Sequence, residues 1–173
     1  MAKNETPAVV CDAGPIIHLD ELNSLSLLAD FHEVLVPNAV WLEVEHHRPE
    51  ALSRPQPALT RIPPPASIQE TLVVLAQALS LDAGEIEALA SMDEHPDAIL
   101  LTDDAAARLV ADQQGFHVHG TIGILIRAIR RSQRSPEEVV TLLRDLPRLS
   151  SLHIRPSLLA DIIKEVEADY GLG

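Results

Sequence analysis

The stretch LDAGEIEALASMDEHPDAILLTDDAAAR, residues 81–108, decides the fold. A helix opens at Asp82 and runs to about Asp93. The apolar run Ala98-Ile99-Leu100-Leu101 is too short for a helix and reads as a buried strand, spanning 98–102. It ends on Thr102-Asp103-Asp104, and a second helix starts at once, from about Asp104 to Gly115, with Gly115 as its stop. Two carboxylates at the carboxyl end of a central strand stand where open α/β sheets bind ligands.

The same alternation extends outward in both directions. Upstream, Ala8 to Cys11 is a short apolar strand. Asp12 closes it, and Ala13-Gly14-Pro15 turns into a helix with Pro15 in its first turn. Leu19, Leu22, Leu25, Leu27 and Leu28 give that helix an apolar stripe. Val34-Leu35-Val36 is a second strand, and Pro37 opens the helix PNAVWLEVEHH. Residues 49–66 hold six prolines and read as a loop with one edge strand at Leu59–Ile62. Ser67 to Leu79 is helical. Downstream, Phe116-His117-Val118 is a last strand and Thr121 to Ser132 a helix. Ser135-Pro136-Glu137-Glu138 is a capped helix start. A final helix spans about Ser157 to Ala168. Short strands alternating with helices predict a parallel sheet covered on both faces. We expect one domain over 1–173, with a core at about 8–131 and a C-terminal helical extension at about 135–170.

Composition narrows the function. At 173 residues and 46% hydrophobic, the chain can bury a sizeable core. Aromatics are only 2%, which argues against base-stacking platforms for single strands. The net charge is −13, with 4 basic and 16 acidic residues in 1–100 but 9 and 10 in 101–173. An acidic chain gains no global steering toward a polyanion, so such a ligand needs a local basic track, a cation or a basic partner. Cys11 is the only cysteine and reads as a small core hydrophobe. The start has no signal-peptide layout and no run approaches a membrane span, so the expected location is cytoplasmic, with no membrane.

Acids fall where they can meet. Asp12 ends the first strand, Glu43 lies on the helix after the second, Glu85 opens its helix, and Asp103 and Asp104 end the strand at 98–102. Asp12 and Asp104 are side by side if their strands are neighbours. Two carboxylates ~4 Å apart repel by ~4 kcal/mol at an effective dielectric of ~20, and a divalent cation removes that cost. Oxygen ligands favour magnesium or manganese. With no cysteine cluster and no HExxH spacing, zinc is disfavoured. Plainer roles compete: Asp82 and Glu85 match a capping box, and Asp103 matches the cap of the following helix. Glu45 reads as solvated.

The pieces VVCDAGPIIHL, VPNAVWLEVE, LDAGEIEALA and ILLTDDAAARLVADQQGFHVHGTIGILIRA span most of residues 8–131. Together they resemble the PIN domain superfamily, in particular its VapC-like toxin nuclease branch. That resemblance implies a three-layer α/β/α fold with a central parallel sheet of about five short strands. It implies a magnesium- or manganese-dependent endoribonuclease, the toxin of a type II toxin–antitoxin pair, with RNA as substrate and 5′-phosphate products. Carried over by motif, Asp12, Glu43, Glu85 and Asp104 are the catalytic acids. Asp12, Glu85 and Asp104 would hold the metal, with Asp103 as a further possible ligand. Glu85 stands where relatives usually carry Asp. An antitoxin and a second copy of the chain are the implied partners, and GTIGILIRA offers an apolar helix for the latter.

Arg127, Arg130, Arg131 and Arg134 recur at helical spacing with no acid between residues 121 and 134. They read as a phosphate track or as partners for acids. None of the eight histidines is assigned to catalysis; His119, beside Gly120, comes nearest. Two other readings remain: a catalytically inactive PIN-like module that binds RNA or protein, and a phosphate-handling receiver. The receiver fails because Cys11-Asp12 is not an acidic pair and the only lysines are Lys3 and Lys164.

Overall fold

A computed structural model describes residues 6–172. Five parallel strands form one sheet in the order β3-β2-β1-β4-β5. They are β1 (Val9–Cys11), β2 (Val34–Pro37), β3 (Leu59–Ile62), β4 (Ile99–Leu101) and β5 (Val118–His119). Helices α1 (Ala13–Glu21), α2 (Asn38–His47), α3 (Glu70–Leu79), α4 (Ala83–Ser91), α5 (Ala105–Gln113) and α6 (Thr121–Arg130) connect and flank them. The C-terminal pair α7 (Pro136–Leu149) and α8 (Pro156–Tyr170) pack on each other. This is the expected three-layer α/β/α arrangement. β1 and β4 are buried from end to end apart from Ile99, which explains their unbroken apolar runs. β3 is the half-exposed edge expected from its proline-rich flanks.

The topology positions the site. The chain moves outward from β1 through β2 to β3, then returns to place β4 on the other side of β1. Strand order therefore reverses between β1 and β4, and a crevice opens at their carboxyl ends. The register pairs Val9 with Ile99 and Cys11 with Leu101, so the two strands stop in step.

Several boundaries differ from expectation. The leucine stripe is not one helix: α1 stops at Glu21, Asn23 takes φ 50°, and Leu25–Asp30 forms a separate 3-10 turn. The helix expected from Ser67 starts at Glu70, and the strand expected at 116–118 is Val118–His119. The apolar face of GTIGILIRA is spent inside the chain, with Ile124, Leu125 and Ala128 all buried in the core. Among the described residues, no helix is long and apolar enough to cross a membrane.

Candidate functional site

Asp12 follows β1 directly, and its N–H continues the ladder to the Leu101 carbonyl at 2.9 Å. Its side chain caps α1, Oδ1 accepting from the Ala13 N–H at 2.8 Å. Oδ2 accepts from the Thr102 hydroxyl at 2.9 Å. That same hydroxyl accepts from the Asp104 N–H at 3.2 Å. Asp104 caps α5, its Oδ1 accepting from Ala107 N–H at 2.7 Å. One buried threonine therefore sets the spacing of two acids that stand 92 positions apart in the chain.

Glu43, Asp82 and Glu85 approach from the neighbouring helices. Glu43 is half-buried on α2, whereas Glu45 is exposed. The N-terminus of α2 has no side-chain cap of its own; Glu87 of α4 supplies one, accepting from the Ala39 N–H. Asp82 and Glu85 form a complete capping box on α4, at 2.9 and 2.8 Å. A Cβ on Gly84 would stand 3.0 Å from Glu43 Oε2 and 3.4 Å from Asp82 Oδ1, so this glycine lets α2 and α4 close on each other there.

The result is a cavity of about 280 Å³ lined by Asp12, Glu43, Asp82, Glu85, Asp103 and Asp104. His18 and His153 also line it, but among the described residues no Lys or Arg does. The acids feel one another. Burial, opposed by its hydrogen bonds and reinforced by Asp82 and Glu43, pushes Asp12 up to about 6. Burial, then Asp82, Asp104 and Asp12, push Glu85 up to about 7. Burial and Asp82 also raise Glu43. Among the described residues, no three acids or histidines already stand close enough together to hold one ion. The donor set nevertheless fits a hard divalent cation: the lining is rich in carboxylates, lacks a cationic side chain, and the Glu43 carboxylate makes no hydrogen bond among the described residues.

Asp103 is placed differently from its neighbour. It does not cap α5, as the plainer sequence reading had it; Asp104 does. Asp103 reaches across to α6 and accepts from the Thr121 N–H at 2.7 Å and the Thr121 hydroxyl at 2.6 Å. Its Oδ2 also meets His18 Nδ1 at 2.7 Å. It joins β4, α6 and α1. Gly120 makes this approach possible, since a Cβ there would lie 2.7 Å from Asp103 Oδ1 and 2.9 Å from Arg108 Nη2.

The arginine row does not form one helical face. α6 ends at Arg130, Arg131 is its C-cap, Ser132 takes φ 54°, and Arg134 lies in the turn beyond. Arg127 and Arg131 both pair with Asp30, at 2.5 and 2.9 Å, and Arg127 also lies over the Phe31 ring. Arg134 pairs with Glu138 at 3.6 Å. Arg130 is exposed.

Sequence reasoning passed over the segment between α7 and α8. Ser150 and Ser151 bind the Glu21 carboxylate through both hydroxyls and the Ser151 N–H, at 2.7 to 3.0 Å. This strap carries Leu152 and His153 to the mouth of the acidic cavity. Two serines in a loop give no local signal of that role, because their partner lies about 130 positions away. Thr102 and His18 were missed for the same reason.

No match was found among curated proteins. A family model described as a PIN domain matches residues 8–168, nearly the whole chain, and with the switch-point site and its strand-end acids in view the chain belongs to the PIN domain family.

Proposed function

We propose that the chain is a magnesium- or manganese-dependent endoribonuclease, and that it acts as the toxin of a type II toxin–antitoxin pair. PIN domains are generally nucleases and typically use divalent metals. The observation that carries the reading for this chain is the carboxylate-lined cavity at the β1–β4 switch point, with acids raised by burial and by one another.

Asp12, Glu85 and Asp104 would hold the ion. A divalent ion supplies there a water of lowered pKa and charge neutralisation at the phosphate. The chain's own groups do the positioning. Thr102, Ala13 and Ala107 lock the Asp12 and Asp104 carboxylates. Glu43, its pKa raised by burial and Asp82 and its carboxylate without a hydrogen bond among the described residues, would orient the attacking water and take up its proton. Asp103 already accepts three hydrogen bonds, so we assign it a positioning role in place of direct ligation. Hydrolysis leaves a 5′-phosphate and a 3′-hydroxyl. The toxin role and the antitoxin partner rest on the resemblance to the VapC-like branch, and a homodimer would have to use a surface other than the apolar face of α6.

The test is cleavage of a mixed RNA panel with magnesium, with manganese and with EDTA, by wild type, Asp12→Asn and Asp104→Asn. We expect metal-dependent cleavage that both variants abolish. Cleavage that persists in EDTA, or that is equal in the variants, overturns the reading; RNA binding without cleavage favours an inactive PIN-like module.

A further inference from the structure

Beside the acidic cavity lies a second one of about 320 Å³, and the two share Asp103, Leu152 and His153 as a common wall. Its chemistry is divided. One end carries Arg108 and His119, with Gly120 between the strand and α6. The other end is apolar: Ile122 of α6, Leu152 and Ile154 of the strap, and Leu158 and Ile162 of α8. Among the described residues, no carboxylate other than Asp103 lines it, and both Asp103 oxygens are engaged by Thr121 and His18.

The polar end is electropositive in a chain of net charge −13. Burial first, then Arg108, Arg130 and Arg127, hold the His119 imidazole below its usual range. Cations therefore dominate the field at a half-buried ring that can both donate and accept. Arg108 spends one donor on the Thr102 carbonyl, at 3.2 Å. Its guanidinium has five donors in a fixed fork, which suits phosphate oxygens. The apolar part of the lining is built of branched aliphatic side chains, a surface that takes a base by desolvation with no need for an aromatic stack.

We propose that this second cavity seats one nucleotide of the RNA next to the cleaved bond, its phosphate on Arg108 and His119 and its base on the aliphatic wall built by the strap and α8. This rests on the nuclease reading above and deepens it. The shared wall makes the two cavities consecutive stations on one strand: the scissile phosphate sits over the acids and its neighbour over Arg108. The arrangement gives the C-terminal extension a function, since the strap and α8 supply four of the five aliphatic residues of the wall. It also explains how an acidic chain with 2% aromatics holds RNA: through a local cationic pocket, with Arg130 exposed further along α6 to continue the path.

The experiment measures binding of a fluorescent single-stranded RNA octamer by anisotropy in EDTA, so that no cleavage occurs, at several salt concentrations. Wild type is compared with Arg108→Gln, His119→Gln and Leu158→Ser. Leu158 is 42% exposed, so its substitution tests the wall in a protein that still folds. Expected are a loss of about tenfold in affinity for each variant, the size of one charged hydrogen bond or one desolvated contact. For Arg108→Gln the salt slope should also shrink by about 0.7, the loss of one phosphate contact on a single strand. Leu158→Ser, which removes the apolar contact without adding charge, should alter the preference among homopolymeric octamers and leave the salt slope unchanged. If wild type cleaves RNA but all three variants bind with unchanged affinity and salt slope, the subsite is wrong and the nuclease reading stands. If wild type neither binds nor cleaves RNA, both fall together.

Discussion

Asp12→Asn should make the metal-free protein more stable at alkaline pH, although it removes a residue central to the site. Folding raises the Asp12 carboxyl from an ordinary 3.8 to about 6. A carboxyl whose pKa is higher in the folded state favours folding below its unfolded pKa, and that contribution is lost as pH rises through the folded value. The loss therefore begins near pH 4 and is complete by about pH 7. It amounts to ~3 kcal/mol at 1.36 kcal/mol per pH unit. Glu85, raised to about 7, works in the same direction over a similar window. The two belong to one cluster, so their losses do not simply add. Asparagine keeps the shape: its oxygen can accept from the Ala13 N–H, and its amide can donate to the Thr102 hydroxyl. It removes the charge and, with it, the pressure on Glu85.

Thermal and denaturant unfolding in EDTA, at pH 5.5 and pH 8, measures the effect. At pH 8 the variant should exceed wild type by roughly 2–3 kcal/mol, or about 5–10 °C in Tm for a chain of this size. The gap should close toward acid pH. General charge repulsion also grows with pH, but wild type and variant share it, so their difference isolates the site. Adding magnesium should raise the wild-type midpoint and leave the variant much less affected, because a ligand stabilises only the state that binds it. A variant no more stable than wild type at pH 8 would refute the claim that Asp12 is buried under charge stress.

Two further substitutions separate geometry from stability. Gly84→Ala gains about 1 kcal/mol of helix propensity but forces Glu43 Oε2 away from a Cβ at 3.0 Å; cleavage should fall about tenfold with Tm unchanged or higher, and a drop in Tm with full activity would show that the contact does not position Glu43. Asp103→Asn leaves Thr121 and His18 imperfectly satisfied and should cost about 1–3 kcal/mol in denaturant unfolding, while calorimetric magnesium affinity changes less than about threefold; a larger loss of affinity would make Asp103 a ligand after all.

The elements were legible because their signals are local. Val9-Val10-Cys11 and Ile99-Leu100-Leu101 are apolar without interruption because both faces are covered, and each is followed within three residues by the acid that caps the next helix. The arginine row shows where locality misleads. Its spacing continues a helical period past Arg130, but Ser132 takes a left-handed conformation and ends the helix, and Asp30, about a hundred positions earlier, claims two of the four side chains. The role of Asp103 was hidden in the same way, since His18 lies 85 positions before it and Thr121 18 after.

The sequence also posed a choice, cap or ligand, at Glu85, and the structure makes that choice unnecessary there and at Asp12 and Asp104, which cap helices as well. Each gives one oxygen to a helix N-terminus: Asp12 to Ala13, Asp104 to Ala107, and Glu85 to Asp82. A carboxylate carries about four acceptor positions, so a cap leaves capacity for a cation. Where a strand runs into a helix start, as β1 does into α1 and β4 into α5, a capping acid is held rigid by the backbone, and the box that opens α4 is held in the same way. At the one point where strand order reverses, several such caps face a common cavity. The fold concentrates fixed carboxylates at its switch point as a by-product of starting its helices, and the Glu43 carboxylate, raised by burial and by Asp82, stands among them without capping any helix among the described residues.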